Sequence, residues 1–287
     1  MDRSLPKISL STACFYQLPL HLTFRLAKEA GFSGVEVVLS PEVSLRGTTF
    51  LRRLAQRFGL AIFSVHQSLF HPGPLGKNFR HMLQATKVAL SLKAPLVVLH
   101  VPWASSWQDP EAQRWLQAIQ LCQKLTQGSG TQLSIENPGI YSAKDAANVL
   151  AKPEELVELA DRFGLGITFD TCHAGTSGMD LSKELDLLDA HLVNVHLSDL
   201  AQNEKFPQAF FAHHQLPGQG DLPLRTFLAQ LHRRGFAGPI TLEANPLTLW
   251  GWSFAQMRKR LQQALSFISS AMLGAAESSA SGEGECH

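Results

Sequence analysis

The sequence predicts a single-domain α/β protein, a (β/α)8 barrel of the TIM type, from three observations. Strand-like apolar runs and helix-like amphipathic runs alternate eight times along 287 residues, at the spacing of right-handed βαβ crossovers. The strand-like runs show little polar alternation, as expected where both faces of a parallel sheet are covered. Six of the runs also end on a side chain able to hold a metal or move a proton: His66, His100, Glu136, Asp170, His196 and Glu243. An open doubly wound sheet would share the rhythm. Polar groups that end both adjacent and non-adjacent strands meet only in a closed ring.

The elements follow in order. Ile8 to Cys14 reads as the first strand, followed by an amphipathic helix from Leu20 to Ala30 that Gly31 closes. Gly34 to Leu39 is the second strand and Thr48 to Phe58 the second helix, stopped by Gly59. The third strand ends at His66; a Pro/Gly loop, His71 to Gly76, leads to a helix from Asn78 to Leu92. The fourth strand ends at His100 and precedes a helix from Pro110 to about Gln127. After the fifth strand, ending at Glu136, an insert from Asn137 to Lys152 precedes a helix from Pro153 to Phe163. Pro in its first turn beside Glu154 and Glu155 suits a helix start. The sixth strand, ending at Asp170, leads to a short helix near Leu181 to Leu188. The seventh ends at His196 and opens the longest loop, Ser198 to Asp221, ahead of a helix from Leu222 to Arg233. The eighth strand ends at Glu243, and a last helix runs from Ser253 to about Met272. Residues 1–273 thus read as one domain, and the Ser-, Gly-, Glu- and Ala-rich residues 274–287 as a disordered tail.

Composition excludes several classes. Apolar residues make up 45% and charged residues 17%, and the net charge is +1 with His neutral, so nothing draws the chain as a whole toward nucleic acid or an anionic membrane. Arg258-Lys-Arg260 is the one dense basic run and reads as a solvated helix face. Cys14, Cys122, Cys172 and Cys286 follow no framework or CxxC spacing, which suits a reducing cytoplasm. The first residues carry no secretory signal and no apolar run is long enough to span a membrane, so a cytoplasmic protein is expected. No G-x-G-x-x-G follows the first strand and no P-loop is present, so dinucleotide and P-loop chemistry have no support.

In a closed barrel the C-terminal strand ends share one mouth. His66, His100, Glu136, Asp170, His196 and Glu243 would converge there, with His173 one turn further out. Imidazoles and carboxylates together suit zinc, manganese, cobalt or iron, and the carboxylate-rich subset also suits magnesium. Three facing carboxylates would raise one another's pKa, and a cation resolves the conflict most simply. Any one of these residues alone would read as a loop-capping histidine or a helix N-cap; six in register point to a metal site. His21, His81, His191 and His232 lack the strand-end pattern and default to the surface. Phe15, Tyr16, Trp103 and Trp107 either line a pocket or pack at the rim. Gly218-Gln-Gly220 reads as a turn rather than a phosphate cradle.

On these residues, with Phe169-Asp-Thr-Cys-His-Ala174, Val195-His-Leu-Ser-Asp199, Leu216-Pro-Gly-Gln-Gly-Asp221 and Thr241-Leu-Glu243, the chain from Ile8 to Leu265 resembles the xylose isomerase-like TIM barrel superfamily. That superfamily holds sugar isomerases and epimerases and the family 2 apurinic endonucleases. The isomerase branch implies one divalent ion (Mn, Co, Mg or Zn) held by Glu136, Asp170, His196 and Glu243. Glu136 and Glu243 would move the proton beside a metal-bound oxygen of a sugar or sugar phosphate, and His173 would hold the oxygen. The endonuclease branch implies three zincs, adding His66, His100, His173 and His214. Here, however, Ala212 stands where that branch has an Asp and Leu69 where it has a Tyr, and the loop after the second strand, Leu39-Ser-Pro-Glu-Val-Ser, lacks a nearby Arg. The epimerases' Arg after the seventh strand is also missing, where Ser198-Asp-Leu-Ala-Gln202 stands. The resemblance therefore implies a metal-dependent isomerase or epimerase of a small sugar, sugar phosphate or related polyol. A zinc-dependent endonuclease-like phosphodiesterase is the alternative. One ion is expected rather than three, and a small-molecule partner rather than nucleic acid or membrane; relatives are often homo-oligomers, and the sequence leaves the oligomeric state open.

Overall fold

In a computed structural model of the chain, residues 7–69, 78–201, 212–249 and 253–280 are described, residues 274–280 as backbone helix alone. The loop from His71 to Gly76, the middle of the loop after the seventh strand and residues 281–287 lie outside them. Eight parallel strands close into a ring in sequence order: β1 (Ile8–Ser11), β2 (Gly34–Val38), β3 (Ala61–His66), β4 (Leu96–His100), β5 (Gln132–Glu136), β6 (Gly166–Asp170), β7 (Leu192–Leu197) and β8 (Ile240–Leu242). Closure is made by β1 pairing with both β2 and β8, Ser9 lying beside Gly34 on one side and Thr241 on the other.

The ring is enclosed by α1 (Leu20–Ala30), α2 (Pro41–Phe58), α3 (Asn78–Leu92), α4 (Pro110–Thr126), α5 (Ala143–Ala146), α6 (Pro153–Phe163), α7 (Thr171–Thr176), α8 (Leu181–Leu188), α9 (Leu224–Arg233) and α10 (Phe254–Ala280). No helix among the described residues is long and apolar enough to cross a membrane.

Several elements differ from the sequence expectation for local reasons. β1 stops at Ser11, whose hydroxyl accepts the Ala13 N–H and turns the chain into a 3-10 helix, Thr12–Phe15. α2 begins at Pro41 rather than Thr48. Ser40 caps it by accepting the Val43 N–H, Pro41 occupies its first turn, and Gly47 at φ 69° breaks it midway. Glu42 in that added turn reaches back to accept the Leu20 N–H at 2.9 Å, capping α1. The insert after β5 holds the short α5, and Asp170-Thr-Cys-His opens a further helix, α7, that the sequence reading left as loop. The last helix continues past Met272 to Ala280.

The strands are buried on both faces, but the two faces differ. Leu10, Val35, Val37, Val65, Leu99, Ile135, Ile167, Phe169, Val195, Leu197 and Leu242 belong to the apolar core under the helices. The alternate positions point into the barrel, and most are polar: Ser11, Glu36, Ser64, His66, Ser134, Glu136, Thr168, Asp170, Asn194, His196 and Thr241, all buried. β4 is the exception, with Leu96 and Val98 beside Ser64 and His66. Several interior polar groups bond to one another, as in the 2.8 Å contact between the Ser134 and Thr168 hydroxyls and the hydrogen bond from Thr241 to Asn194 Oδ1. The apparent lack of alternation in the sequence came from small Ser, Thr and Asn residues set among aliphatic ones.

Stability therefore rests on the outer layer. Phe169 is 1% exposed, with its ring 5.5 Å from that of Phe227 on α9. Phe169→Ala is expected to cost about 3–5 kcal/mol in urea denaturation; a loss below 1 kcal/mol would show that this layer does not carry the fold.

Candidate metal and proton-transfer centre

Register sets the strand-end residues side by side. His100 lies opposite Glu136, Asp170 opposite His196, and His66 between Val38 and Val98. Glu243 follows the last β8 residue and stays fixed because its N–H donates to the Leu197 carbonyl. Trp115 on α4 donates its indole N–H to the His100 carbonyl and anchors the end of β4.

Glu136 is the hub. Its Oε2 lies 3.3 Å from His66 Nε2 and 3.1 Å from His100 Nε2, and its Oε1 lies 2.7 Å from His196 Nδ1. The same His196 Nδ1 is 2.9 Å from Glu243 Oε2 and 3.9 Å from Asp170 Oδ2. Ligand atoms of Glu136, Asp170, His196 and Glu243 all fall within 4.8 Å of one another, as do those of His66, Glu136 and His196, and those of Asp170, Cys172 and His214. All the residues singled out in the sequence thus reach one mouth, His173 and His214 included.

Two oxygens on Asp170 are used differently. Oδ1 accepts the His173 N–H at 2.8 Å and caps α7, while Oδ2 is buried without a hydrogen-bond partner. A buried carboxylate oxygen is costly unless paired. Set beside two other carboxylates and an imidazole, it fits a divalent cation, and this donor set is one such ions accept. His173 donates from Nδ1 to the Asn137 carbonyl at 2.9 Å, which leaves Nε2 for the cavity. Asn137 also bridges β5 and β6, accepting the Asp170 N–H and donating to the Asp170 carbonyl. His214, in left-handed backbone at φ 52°, is held by its N–H on Cys172 Sγ and by Ser198 Oγ 3.0 Å from its Nδ1.

Charge balance in the cluster comes from the imidazoles. Burial opposes protonation of His196, but the charges of Glu36, Glu136 and Glu243 outweigh it and hold its pKa well above the usual value. Burial also opposes His66, which the hydrogen bond and charge of Glu136 lift to about 9. At His100 burial wins and the pKa falls. Burial would raise the Glu136 and Glu243 carboxyls. The His196 charge overrides it, leaving Glu136 well below the carboxylate range and Glu243 at about 2.

Above this floor lies a cavity of about 270 Å³, bounded by Tyr16, Leu69, Pro246 and Asn245 and reached by His100, Glu136, His173, His214 and Glu243. Of the aromatic residues left open by the sequence, Tyr16 lines the cavity, Phe15 is in the core, Trp107 packs against the core and Trp103 is exposed. The Gly218-Gln-Gly220 turn is pinned by Asp199, which accepts the N–H groups of Gly218 and Leu222. The sequence reading missed Glu36, a carboxylate in the middle of β2 with 0% exposure, whose Oε2 lies 3.1 Å from His196 Nε2. The signal was present as a lone charge within the apolar run Val35-Glu-Val37. Asn137, next to a strand-end Glu, was missed as well.

This chain belongs to the family of xylose isomerase-like TIM barrels, whose sequence pattern matches residues 24–268. An uncharacterized protein of Mycobacterium leprae is 24% identical to it over 270 residues, 85% of this chain and 90% of the relative. The solved structure of a xylose isomerase domain containing protein from Salmonella typhimurium aligns with a TM-score of 0.73 at 19% identity, covering 93% of this chain and 99% of that one. D-allulose 3-epimerase from a Methylomonas species aligns with a TM-score of 0.70 at 18% identity, over 93% and 98% of the two chains. At these identities the likeness to the two structures is one of fold.

The protonation pattern carries a sign for stability in cation-free protein. A His66 pKa raised from 6.5 to about 9 contributes stability that is complete below pH 6.5 and lost as pH rises through 9. A Glu243 pKa lowered from 4.5 to about 2 contributes stability present above pH 4.5 and lost as pH falls through 2. EDTA-treated protein should therefore melt highest between these windows and lose several degrees from pH 6.5 to 9. Excess Mn2+ or Zn2+ should flatten or reverse that slope, because the ion takes the place of the protons. A melting temperature that rises across this range in EDTA contradicts the assignment.

Proposed function

We propose that the protein is a divalent-cation-dependent isomerase or epimerase acting on a small sugar, sugar phosphate or related polyol. One observation carries the reading: two carboxylates, Glu136 and Glu243, lie on the same imidazole nitrogen, at 2.7 and 2.9 Å, at the base of a small cavity. Glu136, Asp170, His196 and Glu243 would hold the cation. When bound, such an ion polarises carbonyl and hydroxyl oxygens and makes the neighbouring C–H more acidic.

The chain supplies the rest. Glu243 is 12% exposed and Glu136 3%, and both are ionised at neutral pH, so each can accept a proton. One removes it from the substrate carbon and the other returns it, which inverts the centre or moves the carbonyl. His173, with Nδ1 committed to the Asn137 carbonyl, offers Nε2 to a substrate oxygen. Tyr16, Leu69 and Pro246 supply the apolar part of the mouth's lining. A volume of 270 Å³ lies just below the ~300–1,000 Å³ of pockets for drug-sized ligands, which suits a molecule the size of a sugar. The Methylomonas structure supports the reading, being an epimerase also seen in complex with D-allulose.

A second reading has its own observation. The Nε2 atoms of His66 and His100 both face Glu136 Oε2, an arrangement able to hold a second ion, as a zinc-dependent phosphodiesterase requires. In this reading Glu136 would bridge two ions.

The test is metal-reconstituted protein incubated in D2O with a panel of ketoses, aldoses and their phosphates, followed by NMR. Proton transfer at carbon places deuterium beside the carbonyl of a substrate and yields its epimer or isomer. Glu243→Gln should lower that exchange by about 10²–10⁴-fold. Absence of exchange across the panel, with two or more tightly bound zincs and nicking of abasic DNA, would favour the phosphodiesterase instead.

A further inference from the structure

We propose that Glu36 is a positioning residue that keeps the proton on Nε2 of His196, so that Nδ1 remains a ligand for the cation. The inference rests on the divalent-cation reading above. Glu36 belongs to none of the ligand groups at the mouth. It sits mid-strand on the inner face of β2, between Ser11 and Ser64 in register. Its Oε2 accepts the Ser64 hydroxyl at 2.8 Å and lies 3.1 Å from His196 Nε2, while Oε1 has no partner.

Glu36 Oε2 is an acceptor here, since it already receives the Ser64 hydroxyl. Facing Glu36, Nε2 of His196 carries hydrogen. In the structure Nδ1 donates as well, to Glu136. When a cation takes that place, Nδ1 is the nitrogen that gives up its hydrogen to solvent, and its lone pair then points to where Glu136, Glu243 and Asp170 converge. A metal-ligating histidine commonly has such an outer carboxylate, which fixes the tautomer and strengthens the ligand.

A purely structural role accounts poorly for this residue. The other inner-face polar residues below the mouth, Ser11, Ser64, Ser134, Thr168, Asn194 and Thr241, are all neutral. Any of these types could accept a hydrogen bond from His196, and burying a carboxyl group with one oxygen unpaired is costly. The lone carboxylate at this depth lies directly against the one imidazole shared by all the mouth carboxylates.

The experiment compares full-length wild type, E36Q, E36L and S64A, each stripped with EDTA and titrated with Mn2+ by calorimetry. Circular dichroism confirms that each is folded, and E36Q and S64A carry the test if E36L does not fold. E36L should bind Mn2+ about 10–100-fold more weakly than wild type. E36Q, which keeps an acceptor oxygen but no charge, should fall between them, and S64A should weaken binding by less than E36Q. In Zn2+-loaded wild type, imidazole 15N resonances should show His196 protonated at Nε2 and ligated at Nδ1. Equal affinity for wild type, E36Q and S64A, or ligation through Nε2, overturns the assignment of Glu36. A wild type that binds neither ion fails the divalent-cation reading itself, and the inference falls with it.

Discussion

Four carboxylates, Glu36, Glu136, Asp170 and Glu243, crowd around a single buried imidazole, that of His196, and the barrel interior is organised by the need to balance them. Like charges this close raise one another's pKa unless something positive stands between them. In the structure that positive charge rests chiefly on His196 and His66, with Glu136 as their shared acceptor. A divalent ion achieves the same balance with fewer protons. Of the Ser, Thr and Asn residues on the inner face, Ser64 donates to one of these carboxylates, Glu36, while Ser134, Thr168, Asn194 and Thr241 bond to one another.

Much of this was legible in the sequence, and the reasons are physical. A parallel strand buried on both faces has little freedom in its composition, so a charged residue at its C-terminal end stands out and must project into the mouth. His66, His100, Glu136, Asp170, His196 and Glu243 could be read for that reason, and their recurrence in six of eight strand–helix units pointed to closure. Glu36 was not read, although it is as buried as any of them, because it interrupts a strand rather than ending it. Nothing in a linear pattern says which barrel level a mid-strand residue occupies. Asn137 escaped because its role lies across strands, in bonds to the Asp170 backbone.

Local chemistry set the boundaries that periodicity placed wrongly. The Ser40-Pro41-Glu42 sequence starts α2 seven residues before the Thr48 start that the sequence pattern predicts, because the cap and the first-turn proline set its beginning and Val43 alone carries its early apolar face. Thr171 to Thr176 form a helix too short to show a stripe at all, and its start is dictated by Asp170. In both places the hydrogen bonds that begin the helix also bind it to another part of the barrel: Glu42 to α1, and Asp170 to the mouth.

The divided carboxylate of Asp170 has one more implication. With one oxygen engaged in starting α7 and the other facing the ligand cluster, the turn that carries Cys172 and His173 is tied to occupancy of the mouth through a single side chain. A cation held as proposed would act on the same side chain that starts α7 and, through it, on the backbone that presents His173 and supports His214.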